Sequence, residues 1–342
     1  MRRRWPGRRA DPAGARPRRG VSSRRHDIGD LVLRARQGQA RAVGRLISLV
    51  EDGAPELREV AAALARYTGR AQVVGITGAP GVGKSTSVSV LVTALRAAGK
   101  KVGVLAVDPS SPFSGGALLG DRVRMQDHAT DGGVFIRSMA TRGHLGGIAW
   151  ATPQALRVLD AAGCDVVLVE TVGVGQSEVE VVALADTTVV LLAPGMGDGI
   201  QVAKAGILEV ADVFVVNKAD REGSDQTVRD LKYMISLGRR GTAGPSWRPP
   251  IVRTVATTAE GVEHLVGAIE EHRGWMLGHG ELDARRQRRA QAEVEAIAMA
   301  QLRGRLGDAL QGSASSGLAK RVMAGELDAY RAADELVAEL GA

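Results

Sequence analysis

Residues 72–86 read Gln-Val-Val-Gly-Ile-Thr-Gly-Ala-Pro-Gly-Val-Gly-Lys-Ser-Thr, and no other stretch constrains the fold of the chain as tightly. An apolar run, Val73 to Ile76, enters Gly78-x-x-x-x-Gly83-Lys84-Ser85, and an amphipathic stretch from Thr86 to Ala98 leaves it. Strand, glycine loop and helix in that order are the context of a phosphate-binding P-loop. Gly78, Gly81 and Gly83 let backbone N–H groups turn inward around a polyphosphate, with Ala79, Pro80 and Val82 completing the loop and Thr86 following it. The helix adds its N-terminal amides and the positive end of its dipole. Lys84 supplies a point charge for the β- and γ-phosphates, and Ser85 a hydroxyl for Mg²⁺. The alternative is a glycine-rich turn that binds nothing, and the strand and helix flanks argue against it.

Further apolar runs alternate with helical stretches in the manner of an α/β fold. Strands are expected over 102–107, 134–137, 165–169, 187–193, 213–216 and 251–254, and helices over 152–162 and 262–272. A mostly parallel sheet flanked by helices binds ligands beyond the C-terminal ends of its strands. Asp108 stands at such an end, near the phosphates, with a plain turn residue as the alternative. Asp121 follows in a glycine-rich loop of switch length, where a functional and a structural reading are balanced. Glu170 ends the 165–169 run and Gly173 comes three residues later. An acid so placed holds a Mg²⁺ water, and the glycine amide senses the γ-phosphate. His144 reads equally as a nucleotide contact and as a loop histidine satisfied by backbone.

The base is decided by Asn217-Lys218-Ala219-Asp220 at the end of the 213–216 run. A carboxylate at Asp220 accepts from guanine N1–H and the 2-amino group, a donor pair that adenine lacks. Asn217 braces the loop, and the Lys218 stem lies along the base. Val255, Ala256 and Thr257 fall where backbone covers the guanine edge. Only seven lysines occur in this arginine-rich chain, and Lys84 and Lys218 lie in these two motifs, where a slim ammonium fits and a guanidinium fork does not.

The 342 residues are enough for one large domain or two modest ones. The net charge of +7 is misleading as a global value, because residues 1–25 hold ten arginines against the single acid Asp11. This Pro- and Gly-rich tail is expected to be disordered. Its alternatives are contact with nucleic acid or an anionic surface, a misassigned start site, and a mitochondrial transit peptide whose helix Pro6, Pro12 and Pro17 spoil. The remainder is slightly acidic, so the folded body is not a nucleic-acid binder by charge. One cysteine, Cys164, excludes an intrachain disulfide and fits a reducing compartment. No apolar run reaches spanning length, so a soluble, cytoplasmic protein without membrane contact is expected. Residues 26–70 read as a helical lead-in broken at Asp52-Gly53-Ala54-Pro55, and 71–280 as the nucleotide domain. From 281 to 342 the chain is helical, with apolar stripes at 294–302 and 330–340 separated by Gly312-Ser-Ala-Ser-Ser-Gly317. Such an arm often packs on a second subunit, the alternative being a helix folded back on its own domain.

Together these stretches resemble the MeaB/ArgK/MMAA family of methylmalonyl-CoA-mutase-associated GTPases, within the wider SIMIBI group. The resemblance runs from about residue 28 to the end. It rests on Thr68-Gly-Arg-Ala71 before the P-loop, the P-loop itself, Val107-Asp-Pro-Ser-Ser-Pro112, Gly120-Asp-Arg-x-Arg-Met125, Arg142-Gly-His-Leu-Gly-Gly147, Val169-Glu-Thr-Val-Gly-Val-Gly-Gln-Ser-Glu178 and Asn217-Lys-Ala-Asp220. It implies a P-loop G domain, a helical N-terminal extension and a C-terminal dimerisation arm, hence a homodimer. It implies that Ser85, Asp108, Asp121 and Glu170 serve Mg²⁺, some through water. It implies that 195–207, with Asp198, Gln201 and Lys204, is an additional switch loop coupling nucleotide state to the partner. Here the chain departs: the family's Gly-Asp-Glu-Leu-Gln reads Gly197-Asp-Gly-Ile-Gln201.

The expected reaction is Mg²⁺-dependent hydrolysis of GTP to GDP and phosphate. Lys84 and the loop amides stabilise the transferring phosphoryl group, and a positioned water attacks. Asp108 and Asp121 are candidates to orient the water, with Gln176 behind them. The resemblance implies that the cycle gates loading and protection of adenosylcobalamin in methylmalonyl-CoA mutase or a related acyl-CoA mutase. The alternatives are a nickel-insertion GTPase, which six scattered His and one Cys disfavour, a kinase or ATPase linked to arginine and ornithine transport, which Asp220 disfavours, and a nucleotide-switched binding module.

Overall fold

The computed structural model describes residues 27–109, 128, 130–141, 151–171, 183–195, 210–238, 246–310 and 313–339. The Arg-rich tail, Asp121, His144, Gly173, Gln176, Asp198, Gln201 and Lys204 lie outside these residues.

The chain opens with α1 (Ile28–Arg36), α2 (Ala40–Glu51) and α3 (Leu57–Leu64). Their apolar positions recur at helical spacing, so each buries one stripe, with Val43, Leu46 and Ile47 of α2 fully covered. The expected lead-in was continuous up to Asp52. The expected break at 52–55 is present between α2 and α3, and a second one falls at Gly38, which closes α1 at φ +78° and donates its N–H to Ala35 O.

Then follow β1 (Gln72–Gly78), α4 (Lys84–Ala97), β2 (Val102–Pro109), β3 (Val134–Thr141), α5 (Ala151–Ala161), β4 (Val166–Thr171), β5 (Thr187–Leu192) and β6 (Val213–Asn217). After these come α6 (Ser224–Gly238), β7 (Ile251–Thr254), α7 (Val262–Gly278), α8 (Glu281–Leu310), α9 (Ser313–Met323) and α10 (Ala329–Glu339). The seven strands are all parallel, in the order β3-β2-β4-β1-β5-β6-β7. The five inner strands, buried on both faces, are continuous Val- and Leu-rich runs rather than alternating ones, while the edge strands β3 and β7 are only partly covered. Helices α1–α3 and α5 cover one face over Leu105, Val167 and Val169, with α6 further along it over Phe214 and Val216. Helices α4 and α7 cover the other face over Val74, Ile76 and Leu168. The architecture is that of a P-loop α/β protein with helices before and after the sheet. β1 lies at its centre, so the loop it feeds opens between the ends of β4 and β5.

Ser224–Gly238 is a helix in a stretch for which the sequence alone names no element, and one expectation is corrected: residues 313–317 are the first turns of α9 rather than a separator. Serine and alanine carry little penalty within a helix, so the Ser/Ala run extends α9.

Helix α8 is fastened to the strand-start side of the sheet by buried charge. Asp186 accepts Val73 N at 3.0 Å and the Arg286 guanidinium at 2.7 Å, with Arg289 also on its carboxylate at 3.3 Å. Asp212 accepts Thr188 N at 2.8 Å and both Arg285 Nη atoms at 2.7 and 3.0 Å, and His272 Nε2 lies 3.2 Å away. A turn later Glu293 takes Gln154 and Arg157 of α5. Burial pushes the Asp212 carboxyl up, but the His272 ring and the Arg285 guanidinium outweigh it and hold it below the usual carboxylate range. A group depressed in the folded state gives stability that is complete above its unfolded pKa, about 4, and is lost as pH falls through the folded value. The thermal midpoint should therefore begin to drop as pH falls below about 5 and go on dropping below about pH 4. Asp212→Asn should cost about 3 kcal/mol at neutral pH and shallow the acid limb. An acid limb of unchanged slope in that variant would remove Asp212 from the account.

Past Glu293 nearly every described residue of α8 is exposed, Val294, Met299 and Leu302 among them, and so are Met323 on α9 and Tyr330 on α10, Tyr330 at 86%. No helix among the described residues is long and apolar enough to cross a membrane.

Candidate functional site

The site is assembled where β1, β4, β5 and β6 end. β1 runs straight into the glycine loop, whose entry residue Gly78 has φ +146° and pairs with Leu191 of β5. A Cβ there would sit 2.3 Å from Leu191 O, so only glycine lets the loop leave the sheet at this point. At the loop's exit Gly83 has φ +98°, and a Cβ would meet Asn217 Nδ2 at 2.4 Å. Each end of the loop is thus pressed against backbone or side chain of a neighbouring strand.

Helix α4 begins at Lys84, two residues before the expected Thr86. Lys84 is 7% exposed and donates from Nζ to Gly78 O at 2.7 Å and Ala79 O at 3.2 Å. Its ammonium is therefore held in the bowl of the loop. Ser85 Oγ donates to Glu170 Oε1 at 2.6 Å. Glu170 sits on β4 opposite Ile76 of β1, and parallel register alone brings the carboxylate 85 residues onward to the serine. Next along both strands, Thr171 Oγ1 donates to Thr77 Oγ1 at 3.3 Å.

Asn217, the last residue of β6, ties three segments together. Its Nδ2 donates to Val82 O at 2.8 Å, and its Oδ1 accepts Thr254 Oγ1 and Ala256 N, both at 3.1 Å. Lys218 follows at φ +57°, a left-handed conformation that costs a non-glycine residue about 1 kcal/mol. It donates from Nζ to Gly81 O at 2.7 Å. Asp220 is exposed in the turn beyond, and Ala219 N is bonded to Thr254 O at 3.1 Å. Val255 and Ala256 are buried beside Asn217, while Thr257 is exposed. The 217–220 segment and the phosphate loop thus form one hydrogen-bonded body.

Of the expected site residues, Gly78 to Thr86, Glu170, Asn217, Lys218, Val255 and Ala256 are brought together around this body. Asp108 is the seventh residue of β2, paired with Ala140 of β3, which puts its backbone at the same edge of the sheet. Thr254 was not singled out from sequence. It reads as an ordinary strand residue until β7 is registered against β6, where it pairs with Asn217. The oxygen donors Ser85 and Glu170 within one hydrogen bond suit a hard cation that keeps part of its water shell, so this donor set fits Mg²⁺. Glu170→Gln should raise the Mg²⁺ concentration giving half-maximal hydrolysis by about 10- to 100-fold, the usual cost of a lost ligand-orienting carboxylate. An unchanged Mg²⁺ requirement would take Glu170 out of the metal's surroundings.

Comparison with known proteins agrees with this geometry. Residues 43–311 match the family model described as methylmalonyl Co-A mutase-associated GTPase MeaB. A Pyrococcus abyssi protein provisionally named a GTPase is 47% identical over 92% of this chain and 97% of its own length. GTPase ArgK of Escherichia coli is 35% identical over 77% of this chain and 81% of its own. The mitochondrial methylmalonic aciduria type A homolog of Mus musculus is 37% identical over 73% of this chain and 64% of its own. Among solved structures, a LAO/AO transport system kinase superposes with a TM-score of 0.68 at 26% identity, covering 92% of this chain and 98% of that one.

Proposed function

The chain belongs to the family of methylmalonyl Co-A mutase-associated GTPases, and from that premise we propose that its GTP cycle serves an adenosylcobalamin-dependent acyl-CoA mutase as a chaperone. It is a GTPase, and its family binds guanine nucleotide with Mg²⁺. The finer reading is that the cycle gates loading of the cobalamin cofactor into the mutase and protects it there. This reading rests on the family match and on the likeness to the mouse protein.

The Asn217 bridge carries the assignment of the nucleotide. With Nδ2 on Val82 O and Oδ1 on Ala256 N, the residue that braces the base segment also fixes the phosphate loop, so base identity and phosphate position are read together. Asp220 supplies the guanine-specific acceptor, with Val255, Ala256 and Thr257 along the base edge. A base-blind phosphate binder has no use for that connection, and a transport-linked kinase using ATP has no use for Asp220.

In the proposed reaction Lys84 leaves the carbonyls of Gly78 and Ala79 for the β- and γ-oxygens, where it stabilises charge on the transferring group. The amides of Gly78 to Ser85 wrap the polyphosphate. Ser85 and Glu170, with Asp108 and Asp121, would hold the Mg²⁺ shell, and the metal would supply positive charge to the polyphosphate. Asp108 or Asp121 orients the attacking water. Gly173 and Gln176 sense the γ-phosphate, and Asp198, Gln201 and Lys204 pass its presence to the mutase. Helices α8–α10 are the arm of a homodimer, a role that fits their exposed Val294, Met299, Met323 and Tyr330. We place the cycle in the cytoplasm on the strength of a single cysteine.

The test is binding of the full chain to a methylmalonyl-CoA mutase in GDP and in a non-hydrolysable GTP analogue, with transfer of adenosylcobalamin followed by its absorbance. The reading expects complex formation and a nucleotide-dependent change in cofactor transfer. Transfer that ignores the nucleotide would overturn the chaperone assignment and leave the GTPase assignment standing.

A further inference from the structure

At the strand-start side of the sheet, opposite the nucleotide loop, lies a cavity of about 370 Å³. Four cations from four separate elements line it: Arg36 at the end of α1, Arg70 before β1, Lys100 before β2 and Arg273 on α7. None of the four makes an ion pair among the described residues. Arg273 Nη1 reaches only the side-chain carbonyl of Gln72, at 3.5 Å.

The two carboxylates in the wall are committed elsewhere. Asp160 accepts the backbone N–H groups of Gly69, Arg70 and Ala71, and Asp165 accepts Lys101 N at 2.7 Å. They hold the wall together rather than answer the cations. Nor are the cations needed as caps for the helices ending here. Gly38 N bonds to Ala35 O, Gly99 N to Arg96 O and Gly163 N to Asp160 O, so the last turns of α1, α4 and α5 are closed by backbone. Cys164 also faces the cavity, and burial pushes its thiol up to about 12, so it contributes no negative charge. The Arg36 guanidinium is held 3.8 Å over the Tyr67 ring, a cation–π contact that fixes its position and leaves its N–H fork unused.

We propose that this cavity is a second ligand site, binding a small phosphate-bearing molecule with more than one negative charge. Three guanidinium groups and an ammonium lining one cavity outnumber its two carboxylates and match an anion with several oxygens around a compact centre. Planar guanidinium forks pair with phosphate in a bidentate manner, and the volume exceeds what one orthophosphate fills. The site is remote from the P-loop, so its occupant is not the hydrolysed nucleotide.

The experiment uses the full chain saturated with fluorescent GDP, which occupies the P-loop and reports its own displacement. Sodium pyrophosphate is titrated in by calorimetry, with citrate as the carboxylate counterpart. The proposal expects one equivalent of pyrophosphate bound with the GDP retained, and citrate bound at least tenfold more weakly. Arg70→Ser, at an exposed position, and Arg273→Ser should each weaken pyrophosphate about tenfold and leave GDP affinity and GTP hydrolysis unchanged. The Arg70 variant keeps the test valid if the helix variant unfolds. Release of GDP on titration, no binding, or equal binding by the Arg70 variant would overturn the site. Citrate binding as tightly as pyrophosphate would overturn the phosphate assignment.

Discussion

Asp220→Ala is expected to lower GTP affinity by about 10³-fold, the equivalent of two hydrogen bonds to a charged acceptor at about 2 kcal/mol each. The carboxylate is exposed in the turn after β6 and makes no contact that the fold needs, so stability and the secondary structure should be unaffected. Asp220→Asn separates chemistry from shape. The amide still accepts from N1–H but now presents a donor where guanine also has one, which is repulsive. Xanthine has a carbonyl at that carbon, so XTP should replace GTP as the preferred substrate of Asp220→Asn. Hydrolysis and binding of GTP, XTP and ATP by the three proteins check this. Preference for GTP that survives both substitutions would mean that the guanine edge is read by other groups.

Lys84→Ala is expected to lower the rate of GTP hydrolysis by about 10²- to 10³-fold, the usual effect of removing one preorganised donor from a developing charge. Affinity should fall as well, because the ammonium binds ground-state phosphates. A second consequence comes from the nucleotide-free geometry. Lys84 Nζ bonds to Gly78 O and Ala79 O, so its loss removes a brace from the entry of the loop. Lys84→Arg should not restore activity, since a planar fork does not fit a position only 7% exposed within the bowl. Single-turnover hydrolysis with the nucleotide saturating separates the catalytic loss from the binding loss. A turnover unchanged at saturation would show that Lys84 only binds.

The parts legible in the sequence are those that local chemistry dictates. Each of the seven strands is an apolar run bounded by Gly, Pro, Asn or Asp, and all seven recur in the sheet within a few residues of where they are expected. The P-loop and Asn217-Lys218-Ala219-Asp220 announce themselves because a few residue types at fixed spacing have no cheaper structural use. Helix α6 was missed although Val228, Leu231 and Ile235 carry a helical period, since the polar residues between them dilute it. The break at Gly38 was missed because Gln37-Gly38 is a weak stop without the positive φ in view. Asp186, Asp212 and Arg285 to Arg289 lie far apart in sequence, and only the finished sheet brings them into contact. The same holds for Thr254 on Asn217, which is a matter of register between β6 and β7. The expected roles of Asp121, Gly173, Gln176, Asp198, Gln201 and Lys204 fall outside the described residues and stand as proposals.

The most direct test of the central claim is phosphate release from GTP and from ATP with Mg²⁺, with and without an adenosylcobalamin-dependent acyl-CoA mutase. The account predicts release from GTP, little from ATP, and a GTP rate that rises when the mutase is present. Equal use of ATP, or a GTP rate indifferent to the mutase, would contradict it.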